Sequence, residues 1–119
     1  ESGMIVLTEH ILDRDADAKN SPEHIEKRDI AWLDEAAYVI AEISGASTGV
    51  GREIEYARTK EHFGKTPAKI LCLYHLDREY FASSMVRGMS PERYPNVSVK
   101  AYRDIEDAKE IVGNFIGIS

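Results

Sequence analysis

A segment of small residues, 44–52, leads from a predicted strand directly into a predicted helix and ends next to Glu53. Backbone N–H groups and the positive end of the helix dipole favour a bound phosphate or carboxylate, and Gly49 and Gly51 let such a ligand approach the backbone. A carboxylate in the first helical turn stays ionised and can act as a nucleophile. The pattern indicates an anion site beside a reactive Glu53, although a tight turn followed by an ordinary helix-start glutamate would give the same residues.

A second carboxylate, Asp29, interrupts the apolar stripe of the first predicted helix. The stripe has helical spacing and consists of Ile25, Asp29, Trp32, Leu33 and Ala36. An ionised side chain at a buried position needs a partner or a polar cavity, because burying an unpaired charge is costly. Asp29 therefore either faces a functional cavity or lies at the edge of the stripe and pairs locally.

The histidines and the single cysteine argue against a metal site. None of the four histidines has metal-ligand spacing with another histidine or with Cys72, so we predict neither a metal nor a cofactor. Cys72 is the single cysteine, so no internal disulfide can form and a reducing compartment is expected, and its place in an apolar run predicts buried packing. His10 differs from the other histidines because it ends the first predicted strand, at the edge of the sheet where ligands bind.

The elements that must position these residues alternate along the chain. Four short apolar runs have the length of buried strands: 4–8, 37–44, 69–75 and 97–102. Three helical patterns follow them: 22–36, 49–63 and 104 to about 116. Ser21 and Pro22 predict the start of the first helix, and Gly64 predicts the end of the second. The alternation predicts a three-layer α/β domain with a mostly parallel sheet, in which ligands bind at the carboxyl ends of the strands.

Composition limits the remaining possibilities. A chain of 119 residues, 43% hydrophobic and 30% charged, fits one domain over residues 1–119 and leaves little room for a second core. The net charge of −6 and the lack of a basic run argue against binding to a nucleic-acid polymer. No stretch approaches the ~20 apolar residues of a membrane span, and no signal peptide is recognisable, so we expect a cytoplasmic protein without a membrane partner.

Five segments carry a more specific pattern. They are Leu7-Thr8-Glu9-His10, Asp29-x-x-Trp32-Leu33, Ala41-Glu42-x-Ser44-x-x-Ser47-x-Gly49-Val50-Gly51-x-Glu53, Ile70-Leu71-Cys72-Leu73 and Ser83-x-Met85-Val86-Arg87-Gly88. Together they resemble the 2′-deoxynucleoside 5′-phosphate N-hydrolases, which are relatives of the nucleoside 2-deoxyribosyltransferases. The resemblance runs from about residue 4 to the C-terminus, and the third segment, between a strand and a helix, is its specific part.

The resemblance implies a flavodoxin-like fold, a homodimer and a nucleoside 5′-monophosphate substrate. It implies that Glu53 is the nucleophile, that Asp29 orients it, and that Ser47 and the neighbouring subunit's Ser83 bind the 5′-phosphate. The predicted substrate-binding set also includes Gly49, Gly51, His10 and Met85. Residues 80–88 combine aromatic, methionine and polar side chains, a mixture typical of an interface core or of a small satellite core. The resemblance favours the interface.

The residue at position 47 separates nucleotide from nucleoside substrates. The transferases that accept unphosphorylated nucleosides typically carry Asp where this chain has Ser47. A carboxylate there would repel a phosphate, whereas a hydroxyl beside a helix start can bind it. The residue therefore favours a phosphorylated substrate.

The N-terminal part of the family pattern has no counterpart here. Family members begin with an additional strand and a Gly-Ser-x-Arg-Gly-Gly type loop, and nothing before Glu1 supplies them. In the family's strand order the additional strand would lie between the strands at 4–8 and 37–44. Its absence predicts unpaired backbone in the middle of the sheet, and hence a chain that is N-terminally incomplete.

The resulting hypothesis is a retaining reaction in which Glu53 attacks C1′ as the base leaves, and water then hydrolyses the glycosyl-enzyme ester. Three alternatives stay open. A deoxyribosyltransferase would transfer the sugar to a second base, and a ribonucleotide hydrolase would admit a 2′-hydroxyl. A non-catalytic nucleotide-binding module would only bind its ligand.

Overall fold

The structure is a computed structural model that describes residues 4–7 and 20–117. Its strands are β1 (Met4–Leu7), β2 (Ala36–Glu42), β3 (Lys69–His75) and β4 (Val97–Tyr102). Its α-helices are α1 (Pro22–Glu35), α2 (Thr48–Thr59), α3 (Ser84–Arg87) and α4 (Ile105–Phe115). Two 3₁₀ segments, Lys60–Phe63 and Leu76–Phe81, extend α2 and follow β3.

The four strands form one parallel sheet in the order β1-β2-β3-β4. This confirms the predicted α/β class and parallel sheet. The helix boundaries also follow local signals. Ser21 accepts a hydrogen bond from the His24 backbone N–H at 3.1 Å, with Pro22 in the first turn, and Gly64 ends the second helical segment with φ +84°.

The predicted gap in the sheet is wrong for the described residues. β1 pairs directly with β2, with Val6 opposite Val39 and Leu7 opposite Ile40. The N–H and C=O groups on that edge of β2 therefore meet a strand of this chain.

Helices cover both faces of the sheet, as the three-layer prediction requires. The face below α1 and α2 holds the larger core, whose buried members include Leu33, Val39, Ala41, Val50, Ile54, Ile70 and Cys72. The other face packs against α4 through Ile40, Leu71 and Leu73, with Ile111, Val112 and Phe115 on the helix. Cys72 is buried as predicted, and burial raises the pKa of its thiol to about 12.

A buried ammonium group joins the ends of α1 and α2. The Lys60 side chain is 1% exposed, and its Nζ donates to the carbonyl oxygens of Asp34 at 3.1 Å and Ala36 at 2.7 Å. Burial lowers the pKa of this ammonium. Lys60 therefore fixes the far ends of the two helices that carry Asp29 and Glu53.

Within the described part of the chain, no helix combines the length and the apolar character that crossing a membrane requires.

Candidate active site

A cavity of about 330 Å³ lies between the first half of α1 and the start of α2. Its lining residues are Pro22, Ile25, Glu26, Asp29, Ile30, Gly49, Arg52 and Glu53. Because α2 follows β2, its first residues lie at the carboxyl end of the parallel sheet, where ligands bind in such folds. The structure thus brings Asp29, Gly49 and Glu53 together on the wall of one cavity.

Asp29 is held by the residue before it. Its side chain is 14% exposed, accepts a hydrogen bond from Nε of Arg28 at 3.0 Å, and forms an ion pair with Nη2 of the same guanidinium at 3.0 Å. The Arg28 guanidinium also lies over the Trp32 ring, 4.9 Å from its centroid. Asp29 therefore pairs locally and also faces a cavity, so the two interpretations of this residue are compatible. Trp32 is 46% exposed, and its predicted place in the buried stripe is wrong because it covers Arg28 instead.

Ser47 determines where α2 begins. Its hydroxyl accepts a hydrogen bond from the Val50 N–H at 3.2 Å, and its carbonyl accepts one from the Gly51 N–H at 3.0 Å. The helix therefore starts at Thr48, and Glu53 lies in its second turn. The predicted first-turn position of Glu53 is wrong, and the dipole stabilises its charge less than expected because that effect falls off within the first turn.

The glycines of this segment leave the backbone accessible. A Cβ added at Gly51 would meet no atom within 4 Å, and one added at Gly49 would only touch the Ser47 Oγ at 4.0 Å. Among the described glycines, positive φ angles occur at Gly64 and Gly117, so neither Gly49 nor Gly51 is there to make a left-handed turn. Open space next to backbone N–H groups is what a phosphate-binding segment needs.

The cavity is more acidic than the sequence pattern suggested. Glu26, Asp29 and Glu53 contribute three carboxylates, and Arg52 is the one cation among the described lining residues. Arg52 donates to Glu26 at 2.9 Å, and both side chains are about half exposed, at 59% and 46%. Sequence reasoning missed this pair because nothing in the spacing of α1 and α2 indicates which side chains meet between them. Such an exposed pair contributes little to stability, roughly 0–1 kcal/mol, so the guanidinium can exchange Glu26 for a bound anion.

Comparison with known proteins gives the site its context. No protein-family model matches the chain. A protein named as a 2′-deoxynucleoside 5′-phosphate N-hydrolase from Thermofilum pendens is 36% identical over 112 residues, which span 92% of this chain and 72% of the relative. The chain belongs to this N-hydrolase family. A mouse protein named as a 5-hydroxymethyl-dUMP N-hydrolase is 39% identical over 88 residues, covering 70% of this chain and 47% of the mouse protein.

A solved structure of another protein shares the fold of this chain. The CMP N-glycosidase of Clostridium botulinum superposes with a TM-score of 0.68 and 18% sequence identity, covering 93% of this chain and 98% of that one. The likeness supports the α/β architecture that places the cavity at the carboxyl end of the sheet.

The other site residues predicted for this chain either do not line the cavity or lie outside the described residues. Ser83 caps the short helix α3 by accepting from the Met85 N–H at 3.2 Å, and the Met85 side chain is 86% exposed. Neither residue lines the cavity of Asp29 and Glu53 in its own chain. Ser47 is at the start of α2 but is also not among the described residues of the cavity wall. His10 lies outside the described residues, and the described ones contain no group of His, Cys, Asp or Glu that could hold a metal ion.

Proposed function

We propose that this chain hydrolyses the N-glycosidic bond of nucleoside 5′-monophosphates, with 2′-deoxynucleotides as the first candidates, and releases the free base and a sugar 5-phosphate. One observation carries the proposal. Asp29 and Glu53 line a single cavity in a member of the N-hydrolase family. The relatives named above act, by their names, on a 2′-deoxynucleoside 5′-phosphate and on 5-hydroxymethyl-dUMP.

In the proposed reaction Glu53 is the nucleophile. Its carboxylate attacks C1′ as the base departs with the electrons of the glycosidic bond and takes up a proton. The resulting glycosyl ester is hydrolysed by water, which restores the Glu53 carboxylate and leaves a hydroxyl on C1′. Asp29, fixed by Arg28, is the proposed positioning residue, and a direct interaction between the two carboxylates stays a prediction.

The proposed phosphate site is the start of α2. The Ser47 hydroxyl accepts from the Val50 N–H and keeps its own hydrogen, which it can donate to a phosphate oxygen. Gly49 and Gly51 leave room for the phosphate beside the backbone. A dianionic substrate in a cavity with three carboxylates also gains from the nearby Arg52 guanidinium.

The proposed active unit is a homodimer in which the partner contributes Ser83 to the phosphate site. The supporting observation is the exposed apolar surface around Ser83, where Tyr80, Phe81 and Met85 are 88%, 59% and 86% exposed. Large apolar side chains grouped in this way are typical of an interface. The proposed location is the cytoplasm, where nucleotide substrates and a reducing environment for a free thiol occur together.

The experiment that tests the reaction compares Glu53→Gln with the unchanged chain. Each is incubated with ribo- and deoxynucleoside 5′-monophosphates, including CMP and 5-hydroxymethyl-dUMP, and the products are separated by chromatography. We expect base release by the unchanged chain and a loss of at least ~10³-fold in Glu53→Gln, because an amide is a poor nucleophile. Glu55→Gln, an exposed position on the same helix paired with Arg58, is the matched control and should retain activity.

Other outcomes would replace the proposal. Full activity in Glu53→Gln would remove the nucleophile assignment. Sugar transfer to an added free base would identify a deoxyribosyltransferase. Nucleotide binding without base release over hours would indicate a binding module, and activity confined to ribonucleotides would change the substrate class.

A further inference from the structure

The carboxylate of Glu42, the last residue of β2, accepts three hydrogen bonds at the carboxyl edge of the sheet. Its Oε1 accepts from the Ser44 backbone N–H at 2.9 Å. Its Oε2 accepts from the Ser44 hydroxyl at 2.5 Å and from the Tyr102 hydroxyl at 2.7 Å. Glu42 therefore binds both the residue two positions after it and the last residue of β4.

The same group of contacts attaches the segment after β2 to β3. The Ser44 hydroxyl accepts from the His75 backbone N–H at 2.9 Å, and the Ile43 N–H donates to the Leu73 carbonyl at 2.7 Å. The rings of His75 and Tyr102 pack edge to face with centroids 5.3 Å apart. The first two residues after β2 are thus fixed to β3 by two hydrogen bonds, one from the Ile43 backbone N–H and one to the Ser44 hydroxyl.

Glu42 lies on the opposite face of the sheet from the cavity. Side chains two residues apart share a face of a strand, so Glu42 shares the face of Ile40, which packs under α4. The cavity lies between α1 and α2, on the other face. Among the described residues, the backbone of residues 43–47 links Glu42 to the cavity, and this segment ends at the cap of α2.

We propose that Glu42 is a positioning residue of the phosphate site, an inference that rests on the proposed function. It holds Ser44 against β3 and β4 and so determines where residues 43–47 place the Ser47 hydroxyl and the first N–H groups of α2. The position of Glu53 depends less on the Glu42 hydrogen bonds, because the buried side chains of Val50 and Ile54 also hold α2 in place. Loss of the Glu42 contacts should therefore weaken binding of the 5′-phosphate more than it slows the chemical step.

The test is Glu42→Gln, which keeps the length and shape of the side chain but removes its charge, and so replaces the charge-assisted hydrogen bonds from Ser44 and Tyr102 with weaker neutral ones. We expect KM for nucleoside 5′-monophosphates to rise roughly tenfold with kcat changed less than about threefold, because an interaction equal in the ground and transition states affects KM alone. The Kd of 2′-deoxyribose 5-phosphate, measured by calorimetry, should rise by a similar factor. Tyr102→Phe removes one of the three donors and should give a smaller change in the same direction.

The control separates positioning from general stability. Lys60→Met removes a buried contact at the opposite end of the sheet and should lower stability without changing either constant. An unchanged Kd and KM in a folded Glu42→Gln protein would overturn the proposal, and so would an equal loss in Lys60→Met. If the unchanged chain released no base, the proposed function would fail, but the comparison of Kd values would still test the role of Glu42. If Glu42→Gln did not fold, the Kd and KM of Tyr102→Phe would decide the question.

Discussion

At the scale of single residues, Ser47 combines a structural and a proposed functional role. Asp is as good a helix cap as Ser, so Ser47→Asp should leave the start of α2 intact. The added charge opposes a phosphate and leaves an uncharged ligand unaffected. We therefore expect Kd for a deoxynucleoside 5′-monophosphate to rise at least ~10-fold and Kd for the matching nucleoside to change little, as measured by titration calorimetry.

The comparison between the two ligands contains its own control. An equal loss of both affinities would mean that Ser47 supports the fold of this segment and does not bind the phosphate. Ser47→Thr, which keeps both the cap and the hydroxyl, should preserve most of the affinity for the phosphorylated ligand.

The sequence could predict those features of the site that depend on residues close together in the chain. The change from strand to helix around Ser47 and Glu53 was predictable because caps, glycines and apolar runs act over a few residues. The pairing of Arg28 with Asp29 was not, since adjacent helix residues do not normally face each other. The network of Glu42 with Tyr102 was equally hidden, because it joins residues far apart in the chain through the sheet register.

At the scale of elements, the Lys60 ammonium stabilises the packing of α1 against α2. Lys60→Met keeps the apolar stem and removes the donor to the carbonyls of Asp34 and Ala36. Buried carbonyl groups that lose a donor cost about 1–3 kcal/mol. We expect the free energy of unfolding in urea to fall by about that amount, with an unchanged m-value because the exposed surface is similar. An unaltered midpoint would show that other groups satisfy these carbonyls.

The strands and helices begin and end near the predicted residues, except where a side chain binds a backbone group that would otherwise pair with the neighbouring strand. β3 and β4 occupy the predicted ranges, 69–75 and 97–102. β2 ends at Glu42, two residues before the predicted end, because the Ser44 N–H is taken by the Glu42 carboxylate. The gap expected between β1 and β2 is occupied by their direct pairing, which the sequence did not indicate because apolar runs do not specify which strands become neighbours.

At the scale of the whole molecule, the proposed dimer predicts sites shared between subunits. An inactive Glu53→Gln subunit mixed with an inactive Ser83→Leu subunit should regain activity, because every mixed dimer holds one site with both lesions and one with neither. Random exchange of equal amounts makes about half of all dimers mixed, and each of these has one intact site. The measurement is base release before and after subunit exchange.

Evidence of exchange is needed alongside the activity. Two differently tagged subunits that purify together show that mixed dimers exist. Mixed dimers without recovered activity would place Ser83 in the site of its own subunit or outside any site.

The stacking of Arg28 on Trp32 also gives the protein an optical reporter. Trp32 is the single tryptophan of the chain, and the guanidinium over its ring also binds Asp29 on the cavity wall. A nucleotide that enters the cavity changes the field around Arg28 and therefore the emission of the indole. We expect intrinsic fluorescence to change saturably with deoxynucleoside 5′-monophosphate concentration in Glu53→Gln, where no turnover consumes the ligand. Constant emission at concentrations that saturate calorimetric binding would show that Trp32 does not sense the occupied cavity.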